Sequence, residues 1–168
     1  MAYTVKAVEP AQNETLSEIE KKTGPSNFYR TMAHHPSALR DFARLYGTLM
    51  GPGSLDRRTK EIVYLATSYV NECDYCLSHH LKTGREAGLT ENEIREIQTE
   101  QYQNFTPKER AALHYARELT RTCDVENDTR DQIQEQFSND QVVELTLVIA
   151  LANFTNRFNN GLSVEVEK

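Results

Sequence analysis

The stretch "EIVYLATSYVNECDYCLSHH", Glu61–His80, decides how this chain folds and what it does. Ile62, Leu65, Ala66 and Tyr69 fall on one stripe at helical spacing, so the first half reads as a buried helix. Asn71 and Glu72 interrupt it. A second helix then runs from about Cys73 to Ala87, with Gly88 placed as a left-handed stop. Two cysteines and two histidines sit at its start, and the question is whether they form a metal clip, a structural disulfide or a reactive thiol pair.

Working outward, the punctuation is helical in both directions. "TLSEIEKKTG" (Thr15–Gly24) is a short helix stopped by Gly24 and Pro25, and Pro36 opens "PSALRDFARLYGTLMG", with Leu39, Phe42, Ala43 and Tyr46 on one face. Gly51, Pro52 and Gly53 end that helix. Downstream, Thr90 with Glu93, Thr106 with Glu109 and Ser138 with Gln141 have capping-box spacing, in which a hydroxyl and a longer side chain satisfy exposed backbone donors. These boxes predict helices near 91–100, 107–122 and 139–157. Only the ends, "YTVKAV" and "LSVEVE", alternate as strands do, and they are too few to organise a sheet. The expected fold is all-α. Residues 1–24 form an N-terminal extension, 25–162 the main domain and 163–168 a tail.

The chain also echoes itself. Placing "KEIVYLATSYVNECDYC" over "VELTLVIALANFTNRFN" matches Glu61 to Glu144 and sets Asn156 and Asn159 opposite Cys73 and Cys76. A helix precedes each segment, so the pattern predicts two related helical hairpins of which only the first carries thiols.

Composition bounds the function. The 168 residues are 38% apolar and 26% charged, which suits one globular domain. A net charge of −6 with interspersed signs offers no basic stripe to a nucleic acid. The longest apolar run, Val142–Phe154, is shorter than the roughly 20 residues a membrane span requires. The N-terminal stretch lacks the basic start and apolar centre of a secretory signal, so the expected compartment is the cytoplasm, where a close cysteine pair is catalytic or metal-binding rather than a staple.

Cys73, Cys76 and His80 stand at i, i+3 and i+7, within roughly 60° of one another on a helix. Cysteines three apart also meet the roughly 4.4–6.8 Å Cα separation of a disulfide, so the pair can open and close in place. Attack on a peroxide or disulfide requires a thiolate. A helix start favours that anion, and His80 can take up its proton; Glu72 and Asp74 oppose it. Glu61, a carboxylate heading an apolar helix, needs a partner if buried. It can orient His80 only if the chain bends at Asn71–Glu72. Zinc held by Cys73, Cys76 and His79 or His80 is the metal alternative, though no second ligand pair stands at finger-like spacing. Cys123, His34, His35 and the tyrosines 64, 69 and 75 read as packing, turn or surface residues.

The spacing Glu61-x11-Cys73-x-x-Cys76-x-x-x-His80, followed by "AGLTENEI", resembles the core signature of the AhpD-like alkylhydroperoxidases of the carboxymuconolactone decarboxylase superfamily. The likeness extends over roughly residues 25–162. It implies an all-α domain of repeated helical hairpins that assembles as a homo-oligomer, a trimer or a hexamer. It also implies thiol-dependent hydroperoxidase activity on a small hydroperoxide, with no cofactor beyond the redox-active Cys73–Cys76 pair and no metal. By the same resemblance Cys76 becomes the sulfenic acid, Cys73 resolves it, and His80 with Glu61 relays protons. An external dithiol or lipoyl-type compound is the reductant. Tyr75 stands where the family's hydroperoxidases carry a further histidine. Disulfide reduction by the same pair, or a non-catalytic oligomeric module with vestigial or zinc-binding thiols, are the rival readings.

Overall fold

The computed structural model describes residues 5–167. Among them a short 3-10 turn at Pro10–Gln12 precedes nine α-helices: α1 (Glu14–Thr23), α2 (Asn27–Met32), α3 (Pro36–Met50), α4 (Arg57–Val70), α5 (Asp74–Glu86), α6 (Glu91–Thr99), α7 (Pro107–Thr122), α8 (Asn127–Gln136) and α9 (Asn139–Leu162). No strand occurs among the described residues, in keeping with the all-α expectation. Where described, the alternating ends are not strands. Leu162 closes α9 and residues 163–167 are irregular, while Tyr3 and Thr4 lie outside the described residues.

The organising element is α4, buried on every side from Thr59 to Ser68. It is covered on all faces because α4 packs against α5, α6, α7 and α9, and its buried polar side chains therefore need partners within the fold. Asp56 starts it by accepting the Thr59 N–H at 2.8 Å. The Thr90 and Thr106 capping boxes form as expected. At Ser138 the backbone N–H is met by Gln141 Oε1 at 3.3 Å. Two helices escaped the sequence pattern. Only six residues make up α2, and α8 buries Ile133 alone, so it has no apolar stripe to detect. The last helix runs five residues past the expected end at 157, burying Asn159 near its C-terminus.

One polar tie crosses the core. Lys60 is 0% exposed, and its ammonium donates to Gly51 O at 2.6 Å and pairs with Glu144 at 2.6 Å. Glu144 also accepts from the N–H groups of Ser54 and Leu55, at 2.7 and 3.0 Å. It thereby joins α9 to the loop before α4. A Cβ at Gly53 would lie 2.0 Å from Glu144 Oε1, so this close approach requires glycine. Burial raises the Glu144 carboxyl, but the bonds from Lys60, Ser54 and Leu55 outweigh it and hold the group down at about 2.

Removing one partner leaves the other charge unpaired in the interior. Lys60→Ala or Glu144→Ala is expected to destabilise the fold by about 3–5 kcal/mol, read from urea or thermal unfolding. Because the Glu144 pKa is depressed on folding, its contribution is present above the unfolded value near 4.5 and is lost as pH falls toward about 2. The acid limb of the stability curve should therefore flatten in Glu144→Gln. A curve identical to that of the parent protein below pH ~4 removes this account.

Candidate active site

The site is made by the turn between α4 and α5. Glu72 adopts a left-handed conformation, φ +51°, which ends α4 and reverses the chain, and Cys73 N donates back to Ser68 O at 3.0 Å. Cys73 is extended, not helical, and serves as the N-cap of α5. This corrects the expectation that both cysteines share a helical turn. The cap geometry instead lets Cys73 Sγ accept the Cys76 N–H at 3.4 Å, and that contact draws the side chains together. The two Sγ atoms stand 2.6 Å apart, both cysteines free.

The two thiols are not equivalent. Cys73 donates its S–H to Cys76, and this bond is the largest cause that lowers the Cys76 pKa, to about 7; burial opposes it, and Asn159, Asn156 and Thr155 on α9 reinforce it. The same bond, with burial, pushes the Cys73 thiol up. Asn159 Nδ2 donates to Cys76 Sγ at 3.3 Å. Glu72 and Asp74, the expected repulsive charges, both face solvent.

The reversal also carries α5 back along α4, which brings Glu61 to His80. Both are buried, and His80 Nδ1 lies 2.8 Å from Glu61 Oε2. A carboxylate only accepts, so Nδ1 holds the proton. Thr83 Oγ1 donates to the same carboxylate oxygen at 2.8 Å, and the Tyr64 ring stacks on the imidazole with centroids 3.5 Å apart. The imidazole is thus fixed in tautomer and in plane. Among the described residues His80 makes no hydrogen bond to either sulfur; the Cys76 thiol is bonded by Cys73 and Asn159, with Asn156 and Thr155 also acting on it.

Cys76 and His80 share a cavity of about 310 Å³. Its walls are largely aromatic, from Phe28, Tyr29, Tyr46, Tyr64 and Tyr75, with Thr155 and Asn159 as polar points. Tyr75 does more than pack. Its hydroxyl meets Ser26 Oγ and the Phe28 N–H, each at 3.1 Å, and donates to Glu167 at 2.6 Å. Glu167 in turn accepts the Asn27 N–H at 2.6 Å and faces His79 Nε2 at 2.9 Å. The tail and α2 are thereby fastened to the residue between the cysteines, and His79, which is exposed, pairs with the same carboxylate.

The other histidines and the third cysteine stand elsewhere. His35 caps α3 through Ala38 N at 3.3 Å, His34 meets Lys6 O at 2.8 Å, and Cys123 is exposed at the end of α7. No group of three or more His, Cys, Asp or Glu side chains arranged to hold a metal occurs among the described residues. The residue that sequence reasoning passed over is Asn159. The internal echo set it opposite Cys76, yet an amide gave no chemical reason to single it out.

Comparison with known proteins places the chain by sequence pattern and by fold. The sequence pattern of the Carboxymuconolactone decarboxylase family matches residues 36–118. An uncharacterized protein of Bacillus subtilis, YdfG, is 28% identical over 63% of this chain and 74% of its own length. The crystal structure of a peroxidase-related protein with an alkylhydroperoxidase AhpD core, from Ralstonia eutropha, superposes with a TM-score of 0.85 at 21% identity, covering 100% of this chain and 94% of the other. A variant of the debrominase Bmp8 in complex with 2,3,4-tribromopyrrole superposes with a TM-score of 0.84 at 20% identity over 99% and 93% of the two chains. The chain thus carries the Carboxymuconolactone decarboxylase family pattern from Pro36 to Glu118 and has the fold of the AhpD core throughout its length.

Proposed function

We propose that this protein is a thiol-dependent alkyl hydroperoxidase. The observation that carries the reading is the Cys73–Cys76 contact at 2.6 Å, with Cys76 as the acceptor, opening on a cavity that His80 also lines.

In this mechanism His80 takes the Cys76 proton, and Glu61 stabilises the imidazolium through Nδ1. The thiolate bonds to the terminal oxygen of a hydroperoxide as the O–O bond breaks. Sulfur is oxidised by two electrons to a sulfenic acid, and the leaving alkoxide takes the proton from His80 as an alcohol. The Cys73 thiol then condenses with the sulfenic acid, releasing water and closing the disulfide. An external dithiol, such as a dihydrolipoyl group, restores both thiols by exchange. The aromatic walls suit an apolar substituent on the peroxide. A second copy of this chain is the proposed cover for the apolar residues exposed on α9 and α3, namely Val143, Leu147, Phe154 and Leu45. Light scattering should then give two or more chain masses at low micromolar concentration, and a monomer would count against assembly.

Reduced protein mixed with cumene hydroperoxide should drop from three titratable thiols to one, and excess dihydrolipoamide should restore the other two. Cys76→Ser should abolish this change. Stoichiometric zinc with thiols inert to the peroxide would overturn the reading.

Alkylation of Cys76 by iodoacetamide should rise with pH through a midpoint near 7, below the ordinary thiol range. Cys73→Ala removes the S–H donor and should move that midpoint upward, whereas Cys73→Ser keeps a donor and should move it less. Equal midpoints in the two variants would discard Cys73 as the cause.

His80→Ala should slow steady-state peroxide turnover by about 10²–10⁴-fold. Glu61→Gln should slow it in the same direction. Unchanged turnover in His80→Ala removes the imidazole from the mechanism.

A further inference from the structure

Asn159 is 3% exposed and lies against the proposed reacting atom. Its Nδ2 donates to Cys76 Sγ at 3.3 Å, while its Oδ1 is sealed from solvent and has no hydrogen-bond partner among the described residues. Buried side-chain acceptors are normally satisfied, so an orphan beside a reactive sulfur calls for an explanation. The neighbouring Asn156 shows the contrast. Its Oδ1 accepts from Asn71 Nδ2 at 2.9 Å and its Nδ2 donates to Ser68 Oγ at 3.1 Å. Of these two asparagines one turn apart on α9, only Asn159 keeps an unpaired acceptor, and its donor is the one bonded to the sulfur.

Resting on the hydroperoxidase reading, we propose that Asn159 is a catalytic residue with two successive roles. It donates to the Cys76 thiolate before oxygen transfer and accepts from the transferred O–H during and after it. The chemistry requires such an exchange. A thiolate only accepts, whereas the oxygen it takes up arrives carrying hydrogen: the S–O bond forms, the O–O bond breaks, and the terminal hydrogen stays on the moving oxygen. The leaving alkoxide draws its proton from His80, so the transferred O–H remains intact and needs an acceptor at the sulfur.

Asparagine can supply both functions without moving its backbone. The terminal torsion joining the amide to Cβ is soft, and rotation about it brings Oδ1 to the position of Nδ2, at the sulfur. The hydroxyl bonded to Sγ is then within reach, and the acceptor unpaired in the reduced state becomes paired in the sulfenic state. The same residue type could not act this way at position 156, where both amide atoms are already held.

The test compares two reagents on the thiolate form of Cys76. A hydroperoxide delivers oxygen bearing hydrogen, whereas iodoacetamide delivers carbon and needs no acceptor. Rates are measured at about pH 9.5, above the ordinary thiol pKa of ~8.5, with alkylation followed on the Cys76 peptide by mass spectrometry. In Asn159→Ala the hydroperoxide rate should fall by about tenfold or more, while alkylation stays within about twofold. Asn159→Leu repeats the test with the side-chain volume largely kept. Asn159→Asp loses the donor but keeps an acceptor, so it should preserve the ratio of the two rates even if both decline.

Equal declines in both reactions for Ala and Leu, or no decline in either, overturn the acceptor role and leave the hydroperoxidase reading intact. A parent protein whose Cys76 is alkylated but ignores cumene hydroperoxide overturns both. A lower ratio in Asn159→Asp matching that in Asn159→Ala also sinks the acceptor role.

Discussion

A helix buried on all sides must be surrounded, and the chain that leaves it has to turn back to supply the covering helices. In this protein α4 meets that constraint by ending on Glu72 in the left-handed region, a conformation disfavoured by roughly 1–2 kcal/mol for a residue with a side chain. The turn sends Cys73 out of the helix to cap the next one and carries α5 back along α4. The sulfur contact and the Glu61–His80 contact both follow from this reversal. One backbone event therefore brings together four side chains whose helical phases alone would not all converge.

The site divides its labour between two helical layers. From α4 and α5 come the thiols, the imidazole and its carboxylate. From α9 come the amides and the hydroxyl of Thr155, which face the same sulfur and the Tyr64 hydroxyl. Buried polar groups of this kind are costly unless matched, and α9 can present them because it is anchored at its other end by the Lys60–Glu144 tie. Structural and chemical polarity thus share one helix, about three to four turns apart.

Much of this was legible from the residues. The helix starts followed from capping spacing at Thr90, Thr106 and Ser138, and the Glu–CxxC–His spacing marked the thiol pair. What stayed hidden has physical causes. Periodicity cannot detect α8, which buries one side chain, nor a six-residue α2. A helical wheel misplaced Cys73 because a capping residue lies outside the wheel. The tie from Tyr75 to Glu167 joins residues 92 positions apart, a distance over which no local pattern operates. Asn159 was visible as a position in the echo but not as a neighbour of the sulfur, since what sets it apart is one amide atom having a partner and the other lacking one.

The cap at Cys73 has one more implication. The bonds reaching Cys76 from Cys73 and Asn159 are strongest when that sulfur carries full negative charge, and a sulfur engaged in a disulfide attracts them far less. In a thermodynamic cycle, interactions confined to the reduced species tilt the couple toward reduction. Under the proposed redox reading, the arrangement that makes Cys76 acidic also makes its disulfide easier to reduce, so reactivity and regeneration would draw on the same few contacts.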